Sequence, residues 1–158
     1  MSPISFRFTV SRMVDLHPPA SGLPLASILL LCFAELSRKL PRISEIARSL
    51  RPVAVILCVV AVLTSFLTGY QASSRAINLT NASEQAMAIH HSWGKGLLVS
   101  SLLLATFFFL ERVATYGKKM FVFLYYLFFI LQVVGTIWVG TLGGELVFKH
   151  AVNVERLQ

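Results

Sequence analysis

Residues 120–142 read MFVFLYYLFFILQVVGTIWVGTL, 23 positions without a charged side chain. A helix that crosses the ~30 Å hydrocarbon core of a bilayer needs ~20 mostly apolar residues. A helix of this length in water would need a polar face, and Gln132, Thr136 and Thr141 are too few to make one. Working outward, three more stretches have the same character, at 19–36, 53–69 and 86–110. Lipid offers no partner for backbone N–H and C=O groups, so each stretch is expected to be helical. The fold predicted is all-α, an integral membrane four-helix bundle in one transmembrane domain over residues 1–158.

The composition agrees. Of 158 residues, 56% are hydrophobic and 13% charged, with a mean hydropathy of +0.72. A soluble domain carries about 25% charged residues. Four spans use most of the chain and leave no room for a separate soluble catalytic domain.

Loop charge sets the expected orientation. Arg38, Lys39, Arg42, Arg48 and Arg51 fall between the first two spans, and Arg112, Lys118 and Lys119 between the last two. Lys and Arg near span ends favour the cytoplasmic side. Both termini are then expected outside, the outer tail at 1–17 and the C-terminal segment at 143–158. In a bacterium this means an inner (cytoplasmic) membrane protein with periplasmic termini. The net charge of +7 is read as topological, with no nucleic-acid partner. Cys32 and Cys58 lie inside apolar stretches and read as packing residues.

Several local features follow. Asn81 and Glu84 have capping-box spacing, so the third helix is expected to begin near Asn81 and reach about Tyr116. Pro52 is expected to open the second span. Gly143 and Gly144 are expected to end or turn the last helix, folding Leu146, Val147 and Phe148 back onto the bundle. Glu35 and Glu111 are expected as solvated pairs with Arg38 and Arg112. Gln132 is placed to bond across helices.

The histidines carry the functional expectation. His17, His90, His91 and His150 all fall on the outer face in this topology. Neutral imidazole ligates haem iron and other transition metals. Helix bundles build cofactor sites from side chains on facing helices. Gly22, Gly69, Gly94, Gly96, Gly140, Gly143 and Gly144 share this level and permit close approach. Adjacent His90 and His91 point ~100° apart on a helix, so one can face inward while the other faces a neighbour. Zinc or copper is the competing metal, but structural zinc usually wants four close ligands, often with cysteine, and neither cysteine is near this face. No nucleophile–base pair or phosphate loop is present, so no catalytic residues are assigned.

The stretch Gly140-Thr141-Leu142-Gly143-Gly144-Glu145-Leu146-Val147-Phe148-Lys149-His150-Ala151-Val152 resembles the closing motif of a bacterial membrane-protein family, domain of unknown function 2231. That family typically has four spans and ends in Gly-Gly-x-Leu-Val-aromatic-x-His-Gly. His17-Pro18 with Pro24 resembles its opening His-Pro-x-x-x-His-Phe-Pro, and His90 or His91 resembles its outer histidine on helix three. Gly22 stands where the second opening histidine would be, and Ala151 and Asn153 replace closing glycines. The resemblance runs from about His17 to Val154. It implies four spans and the histidine pattern of a b-type haem protein.

The expectation is therefore a membrane-integral b-type cytochrome, or a haem-binding subunit of a redox complex. It would act as an electron-transfer subunit rather than a stand-alone catalyst, near the periplasmic face. The ligand pair is His90 or His91 with His17 or His150. The partners expected are the lipid bilayer and either subunits of a membrane redox complex or a periplasmic cytochrome. The alternatives are a cofactor-free structural or assembly subunit, and a small metal- or quinone-binding membrane protein.

Overall fold

A computed structural model describes residues 17–74, 76 and 79–150. Its elements, all helical among the described residues, are α1 (His17–Ser21), α2 (Leu23–Ser37), α3 (Ser44–Ser73), α4 (Asn81–Val113) and α5 (Lys118–Phe148). Helices α3, α4 and α5 are each long and apolar enough to cross a membrane, and α2 is a shorter apolar helix. At Gly22 the backbone stays in the right-handed helical region and the Ala26 N–H reaches the Gly22 carbonyl at 3.1 Å. The break between α1 and α2 is therefore shallow. The outer tail before His17 and the segment after His150 lie outside the described residues.

The helix ends differ from expectation in instructive ways. Helix α3 starts eight residues before Pro52, which sits inside it. Proline has no N–H to give the Arg48 carbonyl, so one helical hydrogen bond is absent at this turn. The capping box of α4 is one residue earlier than expected. Thr80 Oγ1 accepts from the Ser83 N–H at 3.2 Å, and Ser83 Oγ accepts from the Thr80 N–H at 2.8 Å. A serine hydroxyl thus does what Glu84 was expected to do. Helix α4 ends at Val113, where Ala114 turns extended and Gly117, at φ 72°, makes the left-handed turn into α5.

Gly143 and Gly144 do not end α5, which runs on to Phe148. Each glycine weakens a helix by ~1 kcal/mol relative to alanine. That penalty is small beside the helical hydrogen bonds that continue through both glycines to Phe148, so the helix does not end there. The fold-back of residues 146–148 is accordingly not seen.

The bundle interior holds small and polar residues beside a few large ones. Ile28, Leu31, Ala54, Val55, Cys58, Leu104, Phe108 and Tyr125 form the central apolar cluster. Ala34, Ser101 and Gln132 are also buried, while Leu29, Phe33, Leu57, Val60, Leu102, Ile130 and Val134 face outward. Such a large exposed apolar surface is unfavourable in water. In lipid it is the ordinary arrangement, with small residues inside and large aliphatic ones against the acyl chains.

Candidate functional site

His17, His90 and His91 gather at one end of the bundle. His17 opens α1 and packs on α3. Its Nδ1 lies 3.1 Å from Thr68 Oγ1. The Thr68 hydroxyl proton is already directed at the Thr64 carbonyl, 2.9 Å away, with the Ser65 carbonyl at 3.1 Å. With that hydroxyl donating to its own helix, its oxygen is placed to accept from a His17 Nδ1–H, the tautomer that leaves the Nε2 lone pair free. This is how a ligating histidine is oriented, with the far nitrogen donating to a fixed acceptor. Burial first, and nearby His91 second, lower the His17 pKa from the usual histidine value. The ring is thus held neutral, the form that binds metal.

Two glycines make room for these rings. A methyl group at Gly69 would lie 2.8 Å from His17 Cε1, and one at Gly143 would lie 3.2 Å from His90 Cε1. Each imidazole rests on backbone that only glycine leaves bare. His90 Nδ1 is buried without a hydrogen-bond partner. The Val139 carbonyl lies beside the same ring, but no well-formed bond is made at Nδ1. His91 turns the other way, its ring 6.3 Å from Tyr70 of α3 and 6.1 Å from His90.

His150 stands at the same end, just beyond α5. It lies seven residues beyond Gly143, about 10 Å further along the helix direction. Its N–H reaches the Glu145 carbonyl at 3.3 Å, and among the described residues no ring contact joins it to the other three. Among the described residues no three His, Cys, Asp or Glu side chains come together as ligands for a bare metal ion. A haem asks for less, one or two axial histidines. This end offers two histidines from different helices, His17 over Gly69 and His90 over Gly143, the latter with a buried nitrogen unpartnered among the described residues.

The opposite end holds a second polar centre, built from residues far apart in the sequence. Glu35 and Glu111 are buried rather than solvated, and their shared partner is Arg51 of α3. Arg51 Nε donates to Glu35, and its Nη1 donates to Glu111 at 2.7 Å. Tyr125 donates to Glu35 at 2.7 Å, Tyr126 donates to Glu35 at 3.1 Å, and Arg38 donates to the Tyr126 hydroxyl. The Arg51 guanidinium also lies 4.6 Å from the Tyr125 ring centre. Arg112, expected to pair with Glu111, instead stands over Phe108 at 4.4 Å. One arginine thereby ties α2, α3, α4 and α5 together. Between the two ends, Gln132 is buried with its Oε1 unpartnered, so the expected bond across helices is not formed at that atom.

Comparison with known family models, curated proteins and solved structures finds no match to this chain.

Proposed function

We propose that this chain is a membrane-integral b-type cytochrome, or the haem-bearing subunit of a redox complex, with the haem held between His17 and His90. The observation that carries the reading is the paired seating of two histidines, from different helices, over Gly69 and Gly143. His17 presents a free Nε2 with its tautomer held by Thr68. His90 sits deeper than His91 and has an unpartnered Nδ1. A bound b-type haem would supply one-electron redox chemistry at this end. The chain would fix the imidazole orientations, keep them neutral and exclude water with its apolar flanks. His91, His150 and Lys149 stand at the same end as candidates for contacts to the haem edge. The resemblance of the opening and closing motifs to domain of unknown function 2231 favours the same histidines.

The same reading has the chain crossing a bacterial inner membrane four times with both termini periplasmic. Support comes from a common spacing. His17 and Glu35 are 18 residues apart, Arg51 and Thr68 are 17, His91 and Glu111 are 20, and Tyr125 and Gly143 are 18. At 1.5 Å per residue these are all about 26–30 Å, the thickness of a hydrocarbon core. The eight basic residues between the first and second and between the third and fourth spans cluster at the end away from the histidines, which favours that end for the cytoplasm. Electrons would then pass near the periplasmic face, to a membrane complex or a periplasmic cytochrome.

The test is the absorption spectrum of the purified, haem-loaded protein, oxidised and reduced. A low-spin b-type spectrum is expected. H17A and H90A should each bleach it or convert it to high spin, while H91A keeps it. A chain that takes up no haem would instead support the cofactor-free structural subunit.

A further inference from the structure

The buried ion cluster borders an open cavity of about 390 Å³ lined by Arg38, Lys39, Arg48, Arg51 and Arg112. Five cations converge here, and the acids beside them are already engaged. Glu35 is held by Arg51, Arg38, Tyr125 and Tyr126, and Glu111 by Arg51. Arg51 is only 7% exposed, and its Nη2 has no hydrogen-bond partner. A buried donor left unsatisfied is costly, and more so on a charged group. Topology alone asks for basic residues on this side. It does not ask for them to converge on one cavity around a buried guanidinium.

We propose that this cavity binds the phosphate of an anionic phospholipid headgroup. Guanidinium forks match phosphate oxygens in geometry and charge, and Lys39 and Arg48 stand exposed at the cavity with no carboxylate partner among the described residues. Free phosphate shares this chemistry. The lipid is favoured because the cavity lies at the bilayer boundary, where the same turns carry exposed Leu36, Leu40, Ile46 and Val113 to lie along acyl chains. Basic pockets between spanning helices on the cytoplasmic side are suited to such headgroups. The proposal rests on the membrane placement and is independent of haem.

The test uses the full chain in nanodiscs of equimolar phosphatidylglycerol and phosphatidylcholine, with retained lipid identified by native mass spectrometry. Phosphatidylglycerol should be retained in preference. K39A/R48A removes two exposed cavity cations that hold no internal partner among the described residues, and the preference should fall about fivefold per charge removed. K118A/K119A removes two cations of the same end outside the cavity and should leave it unchanged. Equal retention of both lipids, an unchanged preference in K39A/R48A, or an equal loss in K118A/K119A would overturn the proposal. A parallel calorimetric titration with inorganic phosphate in lipid-free detergent separates the sources. Phosphate bound by wild type and not by K39A/R48A, with no lipid preference in nanodiscs, would reassign the cavity to the free anion.

Discussion

An imidazole resting on bare backbone leaves no room for a methyl group, and this makes the histidine end sensitive to the smallest substitution. At Gly69 an added Cβ would meet His17 Cε1 at 2.8 Å, so the ring must move. Alanine gains ~1 kcal/mol of helix propensity over glycine, but overpacking costs ~1–3 kcal/mol. G69A should therefore be destabilised on balance and should lose or shift the haem spectrum. At Gly143 the distance is 3.2 Å and a retreat of a few tenths of an ångström suffices. G143A should be near neutral in stability, with a smaller spectral shift. A G69A spectrum identical to wild type would show that His17 is not held by that floor. The same ring gives a pH dependence. Its pKa is lowered on folding by burial and by His91, so as pH falls below about 6.5 the unfolded state takes up the proton first and stability is lost. Above that value this group contributes no slope. Melting curves at about pH 7.5 and about pH 5.5 should show a larger drop in wild type than in H17Q; equal drops would remove His17 as the source.

Among the elements, the ion cluster is what locks four helices in register. Removing one member of a buried ionic network strands its partners and costs ~3–5 kcal/mol. R51A strands both Glu35 and Glu111 and should show that loss in an SDS unfolding titration. Y125F removes one hydrogen bond to a carboxylate that keeps Arg51, Arg38 and Tyr126, and should cost only about 1.5 kcal/mol. R51A as stable as wild type would mean the charges are solvated after all. The apolar stretches were legible from the chain because lipid demands ~20 residues without charge, a signal that needs no partner. Arg51 was not legible. It lies 16 positions from Glu35 and 60 from Glu111, and only the bundle brings them together. In sequence it sits among other basic residues that topology explains equally well. The histidine level was legible through topology, but the choice of His90 as the deeper ring required seeing Gly143 beneath it. The continuation of α5 through Gly143 and Gly144 is not legible in the sequence, because a glycine pair marks a weak point in a helix and not by itself an end.

At the scale of the molecule, two chemically unlike ends are separated by the thickness of a bilayer. One end holds neutral imidazoles over glycines, the other a guanidinium between two carboxylates with a ring of cations around it. On the proposed reading each end has its own side, an electron carrier facing the periplasm and a basic face against the anionic inner leaflet. The central claim is that these ends lie on opposite sides of one membrane with the histidines outside. The most direct test is thiol labelling in intact cells, using a chain with Cys32 and Cys58 replaced by alanine. Ser74, exposed at the histidine end, and Thr115, exposed in the turn between α4 and α5, are each replaced by cysteine. With a membrane-impermeant maleimide, S74C should label in intact cells and T115C only after the membrane is opened. Labelling of T115C and protection of S74C in intact cells would invert the molecule and contradict the account.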